Sequence, residues 1–556
     1  MSDRERTPEQ DGRLSRREFV GATALAGVAA AMHHDLRPMA ALTTTTTRPA
    51  AAAPSDLEEL SIDDVQAGLH AGRFTSRSLT EQYLARIDAM DRRGPALHAV
   101  LQTNPDALAI ADQLDAERRA GKLRGPLHGV PILVKDNLAT ADRMLTTAGS
   151  LALVGATVPR DAFVVQRLRA AGAIILGKAN LSEWANFRST HSSSGWTGRG
   201  GQCRNPYALD RSPSGSSSGT GVGVAANFCT AGIGTETDGS ILAPSSANSL
   251  VGIKPTVGLV SRAGIIPISH NQDTAGPMAR SVRHAAILLG AIAGADPRDP
   301  ATTANHGHVE ADYTRFLDAA GLKGARIGVA RERYMGYSPK TDALVEEAIA
   351  ALKSAGAVIV DPANIATAAK IGDSEFDVLL YDFKHDLNAY LADLGPGSPM
   401  KSLADLITFN DSHREQEMKY FGQELFEQAQ KKGPLTDAAY RKELAQNRRL
   451  ARTDGIDATM DRYRLDAIIA PTMGPAPLID LVNGDPDGGG SSTSPAAVAG
   501  YPSITVPCGY VFGVPVGLSF FGRAYSEGTL LRLAYAYEQA SKRRVPPRYL
   551  PTANLD

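Results

Sequence analysis

Apolar positions along this chain fall into two alternating rhythms. Ordered structure is expected from about Leu57. Ser61-Ile62-Asp63-Asp64 opens a helix, with Ser61 as cap and Asp64 three residues on, and the pattern closes near Gly72. Leu79, Tyr83, Leu84 and Ile87 recur at helical spacing and predict a second helix from Ser76. The apolar run through Val130-Pro131-Ile132-Leu133-Val134 reads as a strand ending in Lys135, Asp136 and Asn137. Phe163, Val164, Leu168 and Ala171 form a helix face that Gly172 closes, and Ala173–Leu176 follows as a strand. Later strands are predicted at Ala325–Ala330, Ala357–Val360, Leu465–Ala470, Ser503–Pro507 and Val516–Phe520, with a helix over Asp342–Ala355. Short unbroken apolar runs suit strands covered on both sides. The fold class is therefore α/β: a mixed, twisted β-sheet covered by helices on both faces. Phe376–Tyr463 is charged, helical and poor in strand signals, so it reads as a helical insertion. No short-period repeat is present.

The N-terminus follows a different logic. Arg16-Arg17 precedes Phe19, and Gly21–Met32 is almost entirely Ala, Gly, Val and Leu. A basic pair before a short apolar stretch is the layout of an export signal, here of the twin-arginine type. Residues 1–40 are assigned to that signal, and 41–56, with the Thr43–Thr47 run, to a low-complexity spacer. This route exports folded proteins, so a periplasmic or secreted enzyme is expected, with the export machinery as a transient partner. No later stretch approaches eighteen apolar residues.

Composition narrows the function. The chain has 556 residues, with 58 Lys+Arg against 60 Asp+Glu and a net charge of −2, which argues against a nucleic-acid binder driven by phosphate contacts. Cys203, Cys229 and Cys508 show no paired spacing, so neither a disulfide framework nor a cysteine zinc site is expected.

The unusual segment is 189–240, rich in serine and glycine. It contains Pro213-Ser214-Gly215-Ser216-Ser217-Ser218-Gly219 and Gly234-Thr235-Glu236-Thr237-Asp238-Gly239-Ser240. A flexible linker does not fit, because the apolar runs Val222–Phe228 and Leu242–Ile253 continue directly from it. A phosphate loop does not fit either, since no G-x-x-x-x-G-K-[ST] occurs. Small residues at tight turns let backbone N–H groups converge on one point, as an oxyanion requires. That suggests a serine hydrolase, although the G-x-S-x-G elbow is missing. The context of His128, His191 and His270 marks none of them as the base. A desolvated lysine can serve instead, and Lys135, Lys178 and Lys254 each end an apolar strand. Residue pattern alone leaves these three open. The ordinary alternative for each is a strand-end lysine reaching solvent.

Several blocks together resemble the amidase signature family of serine amidases. They are Gly125–Pro131 through Lys135-Asp136-Asn137, Gly201–Tyr207, the Ser216 loop, Gly234–Ile241 and Gly252–Thr256. The resemblance spans about Ser61 to Pro546. It implies an amidase domain over 57–546 with the insertion at 376–463, and leaves 547–556 as a C-terminal tail. It further implies a Ser–cis-Ser–Lys triad, with Ser240 as nucleophile, Ser216 as bridging serine and Lys135 as base. The cis peptide would be Gly215–Ser216. Backbone N–H groups of Thr237, Asp238, Gly239 and Ser240 would form the oxyanion hole, and Ser217 would lend a supporting hydroxyl. Lys178 and Lys254 match non-catalytic positions. No metal or cofactor is implied. Two departures stand out. Ser214 and Ser218 replace loop glycines, which requires negative φ there or strain, and Leu242 stands where the family often has arginine.

The expected activity is hydrolysis of a carboxylic amide, C-terminal peptide amides included, by an exported enzyme. The alternatives are an amidotransferase A-type glutaminase subunit and a catalytically silent binding protein on the same fold. Substrate choice is expected in the insertion, in loops Ser182–Ser194 and Met473–Val498, and at Asp382, Phe383 and Asn388. The plainer reading of those three is solvated or core helix residues. Asp485–Ser492 reads as a mobile loop.

Overall fold

The computed structural model describes residues 56–555 apart from 306, 487 and 488; the proposed signal and spacer, up to residue 55, lie outside it. One sheet of eleven strands forms the frame. In chain order its strands are β1 (Val100–Thr103), β2 (Pro131–Lys135), β3 (Ile174–Ala179), β6 (Ala231–Glu236), β7 (Val251–Lys254), β8 (Thr274–Ala279), β9 (Arg326–Val329), β10 (Val358–Val360), β11 (Ala467–Pro471), β12 (Ser503–Val511) and β13 (Val514–Phe521). The short strands β4 (Trp196–Thr197) and β5 (Gly201–Gln202) make a separate hairpin. The spatial order is β1-β3-β2-β6-β8-β7-β12-β13-β11-β9-β10. The sheet is mixed: β3-β2-β6 and β11-β9-β10 run parallel, and the remaining neighbours pair antiparallel.

Every residue of β2, β3, β6, β8, β11 and β13 is buried. Successive side chains point to opposite faces, so complete burial means that both faces are covered. This is the mixed, helix-covered α/β sheet that the apolar runs predict. The first helix, Ile62–His70, carries the Ser61/Asp64 capping box anticipated from sequence. Residues 372–463 contain helices and no strand, beginning with the long helix Gly372–Asp393. Among the described residues, no helix is long and apolar enough to cross a membrane.

Sequence periodicity missed β1, β6 and β8. Strand β6 reads Ala-Gly-Ile-Gly-Thr-Glu, a weak strand former by composition. Its glycines exist for a close approach. A Cβ on Gly232 would stand 2.6 Å from Thr220 Cγ2, and one on Gly234 would stand 2.7 Å from Ser217 Oγ. Both partners belong to the segment opening the buried helix Ser218–Ala225, which packs on β2 and β6. The bare face of β6 therefore lets that helix settle and carries Ser216 and Ser217 to the end of the sheet.

This arrangement makes a stability test. Gly232→Ala should destabilise the protein by about 1–3 kcal/mol through overpacking. Gly372→Ala, where a Cβ meets nothing within 4 Å at the start of a helix, should be neutral or slightly stabilising. Urea unfolding of the two variants against wild type checks the contrast.

Candidate active site

Strands β2 and β6 are parallel neighbours in the register Val134↔Ile233, so their carboxyl ends deliver Lys135 and Thr235 to one place. Ligand sites in such sheets form at this edge. Lys135 is 0% exposed. Its Nζ lies 2.6 Å from Ser216 Oγ, 3.0 Å from Thr235 Oγ1 and 3.3 Å from the Thr235 carbonyl oxygen. Asn137 Nδ2 donates to Thr235 Oγ1 at 2.9 Å and fixes that hydroxyl. A neutral amine has two N–H groups and one lone pair. The two Thr235 oxygens can take both N–H groups, which leaves the lone pair facing Ser216. Burial lowers the Lys135 pKa to about 7, against the opposing pull of Asp273 and Glu236.

The Gly215–Ser216 peptide is cis. Ser216 is fully buried, and its carbonyl accepts the Ser182 N–H at 3.0 Å. Ser217 locks the loop to β6: its Oγ donates to the Thr235 carbonyl at 3.1 Å and accepts the Thr235 N–H at 3.2 Å. Ser217 N–H also donates to the Ser240 carbonyl at 3.1 Å. The Ser216 and Ser240 segments thus touch through backbone, while the two hydroxyls are not hydrogen-bonded to one another. Of the two serines that replace loop glycines, Ser214 accepts a left-handed φ of +58° and Ser218 enters the helix. The Ser218 hydroxyl donates to the Ser214 carbonyl at 2.6 Å and braces the strained residue.

Beyond β6 the chain turns through Thr237-Asp238-Gly239-Ser240, with Gly239 at φ +79°. Among the described residues, the backbone N–H groups of these four donate to no protein acceptor. The next two are occupied: Glu236 Oε2 accepts Ile241 N–H at 2.7 Å and Leu242 N–H at 2.9 Å. The turn is braced from behind. Thr237 Oγ1 donates to Asp273 Oδ1 at 2.6 Å, and Gln272 Nε2 spans the Thr237 carbonyl at 3.3 Å and Glu375 Oε1 at 2.9 Å. Burial raises the Asp273 carboxyl to about 6.

All three strand-end lysines are fully buried, which corrects the expectation of side chains reaching solvent. Lys178 Nζ donates to the Leu138 carbonyl and to Thr146 Oγ1, with Asp136 at 4.0 Å. Lys254 Nζ donates to the Pro255 carbonyl at 3.2 Å, and Glu236 and Glu527 stabilise its charge. Neither contacts Ser216 or Ser240. Nor do the three histidines considered above: His128 Nε2 bonds the Leu114 carbonyl, His191 sits on the surface beside Glu424, and His270 meets Asp386.

In the insertion, Phe383 is a core residue packed on Phe187 and Phe426 at 5.0 and 5.2 Å. Asn388 accepts the Leu403 N–H, and buried Asp382 takes the Ser269 and Tyr440 hydroxyls. Asp382 and Phe383 are therefore buried helix residues, and Asn388 is a half-buried one. The ends of the Asp485–Ser492 stretch are tied down, by Asp485 to Ser194 N–H and by Ser492 to the Pro471 carbonyl. Sequence reasoning also missed a buried charge cluster beside Ser182. Arg188, 0% exposed, pairs with Glu183 at 3.2 Å and covers the Phe421 ring at 4.4 Å. Glu417, from the insertion, accepts the Ser150 hydroxyl and the Leu151 N–H close by.

The family model described as Amidase matches residues 78–531. The crystal structure of the peptide amidase PAM in complex with the competitive inhibitor chymostatin shares 53% identity, with a TM-score of 0.86, covering 88% of this chain and 99% of that one. The native peptide amidase from Stenotrophomonas maltophilia gives 52% identity and a TM-score of 0.85 over 89% and 99% of the two chains. A "probable amidase" of Arabidopsis thaliana is 44% identical over 508 residues, 89% of this chain and 92% of its own. With the fold, the motif blocks and most of the chain matched, this protein belongs to the amidase family and is a hydrolase of amide carbon–nitrogen bonds.

Proposed function

We propose that this amidase cleaves carboxylic amides, C-terminal peptide amides among them, through an acyl-enzyme on Ser240. The observation that carries this reading is the buried Lys135 amine, 2.6 Å from Ser216 Oγ and held by Thr235. Neutral Lys135 accepts the Ser216 proton while Ser216 accepts that of Ser240. Ser240 Oγ then attacks the amide carbon. Negative charge grows on the carbonyl oxygen, and the free N–H groups of Thr237–Ser240 are available to receive it. Collapse of the tetrahedral species expels the amine, protonated by the relay running backwards, and water releases the acid. Approach of the Ser240 hydroxyl to Ser216 accompanies substrate binding, since catalytic hydrogen bonds often close only in the complex. The similarity to peptide amidases supports the substrate class.

Ser240→Ala should lower turnover of a peptide amide by at least about a thousandfold while the fold is kept. A fluorophosphonate probe should label wild type at Ser240 and leave the variant unlabelled. Wild-type turnover by Ser240→Ala would overturn the assignment. Hydrolysis that appears only with an added partner subunit would favour the amidotransferase reading.

The pH dependence has a fixed sign. The working amine is neutral, so kcat/KM should rise with pH through a value near 7 and fall about tenfold per unit below it. A profile with no ascending limb between pH 5 and 9 would exclude Lys135 as a neutral base.

We also propose export in folded form by the twin-arginine route, on the strength of Arg16-Arg17 and the apolar stretch after it. Replacing both arginines with lysine should leave active enzyme inside the cell. Unchanged export of that variant would refute this route.

A further inference from the structure

At the edge of a cavity that Thr235 and Thr237 also line, two histidines and an aspartate converge from separate segments. His270 belongs to the loop leading into β8. His385 and Asp386 lie on the helix Gly372–Asp393. One ligand-capable atom from each falls within 4.8 Å of the others. Both imidazoles present the same nitrogen to one carboxylate: His270 Nδ1 is 2.9 Å from Asp386 Oδ2, and His385 Nδ1 is 2.9 Å from Asp386 Oδ1. The His270 and His385 side chains are 41% and 58% exposed and Asp386 is 12% exposed, so an ion from solvent can reach the cluster.

We propose that His270, His385 and Asp386 form a binding site for a divalent transition-metal ion of the zinc class. Two imidazoles with one carboxylate suit Zn²⁺, Co²⁺, Ni²⁺ or Cu²⁺, whereas Mg²⁺ and Ca²⁺ prefer oxygen donors alone. Ligands about 2.0–2.2 Å from a tetrahedral ion lie roughly 3.3–3.6 Å apart, which small rotations of these exposed imidazoles can reach. The metal takes the Nδ1 lone pair of each ring in its Nε2–H tautomer: a neutral Nδ1–H ring moves that proton to Nε2 through solvent, a doubly protonated ring releases one proton, and water fills the open position. Asp386 is already directed inward, because it also accepts the His270 backbone N–H at 2.7 Å. Buried Asp382 accepts from Ser269 Oγ at 2.6 Å and from Asn271 Nδ2 at 2.8 Å and so holds the loop on either side of His270.

The location gives the ion a structural task. It would fasten the insertion helix to the loop that carries Gln272 and Asp273, the two side chains bracing Thr237. His270 and Asp386 also line a cavity of about 400 Å³ whose other wall includes Asn137, Thr235 and Thr237. The ion takes no part in amide cleavage, so this site stands or falls separately from the acyl-enzyme reading.

The test uses the intact exported enzyme after removal of metal with a chelator. Titration with Zn²⁺ followed by calorimetry should reveal one equivalent per chain and a raised melting temperature. Co²⁺ should give visible d–d bands of a tetrahedral site. His270→Ala and His385→Ala should each weaken Zn²⁺ binding at least about tenfold. His385→Gln, on an exposed helix position, should keep the metal-free melting temperature and still lose the Co²⁺ bands. Absence of stoichiometric Zn²⁺ binding by wild type would overturn the proposal. So would wild-type affinity and Co²⁺ spectrum in both histidine variants.

Discussion

Desolvation of one amine governs the working end of this molecule. Lys135 closes a strand whose residues are all buried, and water has no access to its Nζ. Taking the pKa from 10.5 to about 7 corresponds to a penalty on the charged form on the order of 5 kcal/mol. Only a sheet covered on both faces can impose that penalty, and only a stiff neighbour can make the neutral amine useful. Thr235 fills the second role. It sits on the adjacent parallel strand, offers two oxygens to the amine, and is itself held by Asn137 and Ser217. Burial sets the protonation state, and register sets the direction in which the lone pair points.

The two serine segments depend on the same frame through different devices. The Ser216 loop reaches Lys135 because β6 presents glycine to the helix Ser218–Ala225, and the loop accepts a left-handed serine to do so. The Ser240 turn leaves four N–H groups free because Glu236, one residue earlier, takes the next two for itself. A carboxylate placed on those two donors keeps the short helix Leu242–Ala247 capped without filling the space in front of Ser240. Asp273 and Gln272 then fix Thr237 from the opposite side. The Ser240 turn is thus tied to core strand, loop and insertion helix at once.

Much of this was legible in the chain, and the exceptions have physical causes. Apolar runs such as Ile132–Val134 and Ile468–Ala470 mark strands buried on both faces, and Ser61 with Asp64 marks a cap. Strand β6 escaped because its glycines serve packing and erase the hydrophobic rhythm. The motif blocks brought Lys135, Ser216 and Ser240 to notice without a structure. Thr235 and Asn137 lay inside those blocks, but nothing in their spacing says that both serve one amine. The Arg188–Glu183 pair with Glu417 was invisible, because Glu417 lies far along the chain from the other two and charged residues seldom read as core.

The choice among Lys135, Lys178 and Lys254 shows where sequence pattern stops and electrostatics begins. All three end buried strands and all three are fully buried, so burial alone does not separate them. Their partners do. Lys178 has the Asp136 carboxylate at 4.0 Å, and Lys254 lies in the field of Glu236 and Glu527. Those carboxylates favour the ammonium form and return each pKa to about 8. Lys135 rests on the two Thr235 oxygens and Ser216 Oγ, with Asp273 and Glu236 opposing the effect of burial, and its pKa falls to about 7. Lys178 meets the Leu138 carbonyl and Thr146 Oγ1 and Lys254 the Pro255 carbonyl, whereas Lys135 meets the Ser216 hydroxyl. The same residue type at the same kind of strand end therefore does different work according to which side chain it meets. Of the three, only Lys135 is hydrogen-bonded to a serine hydroxyl.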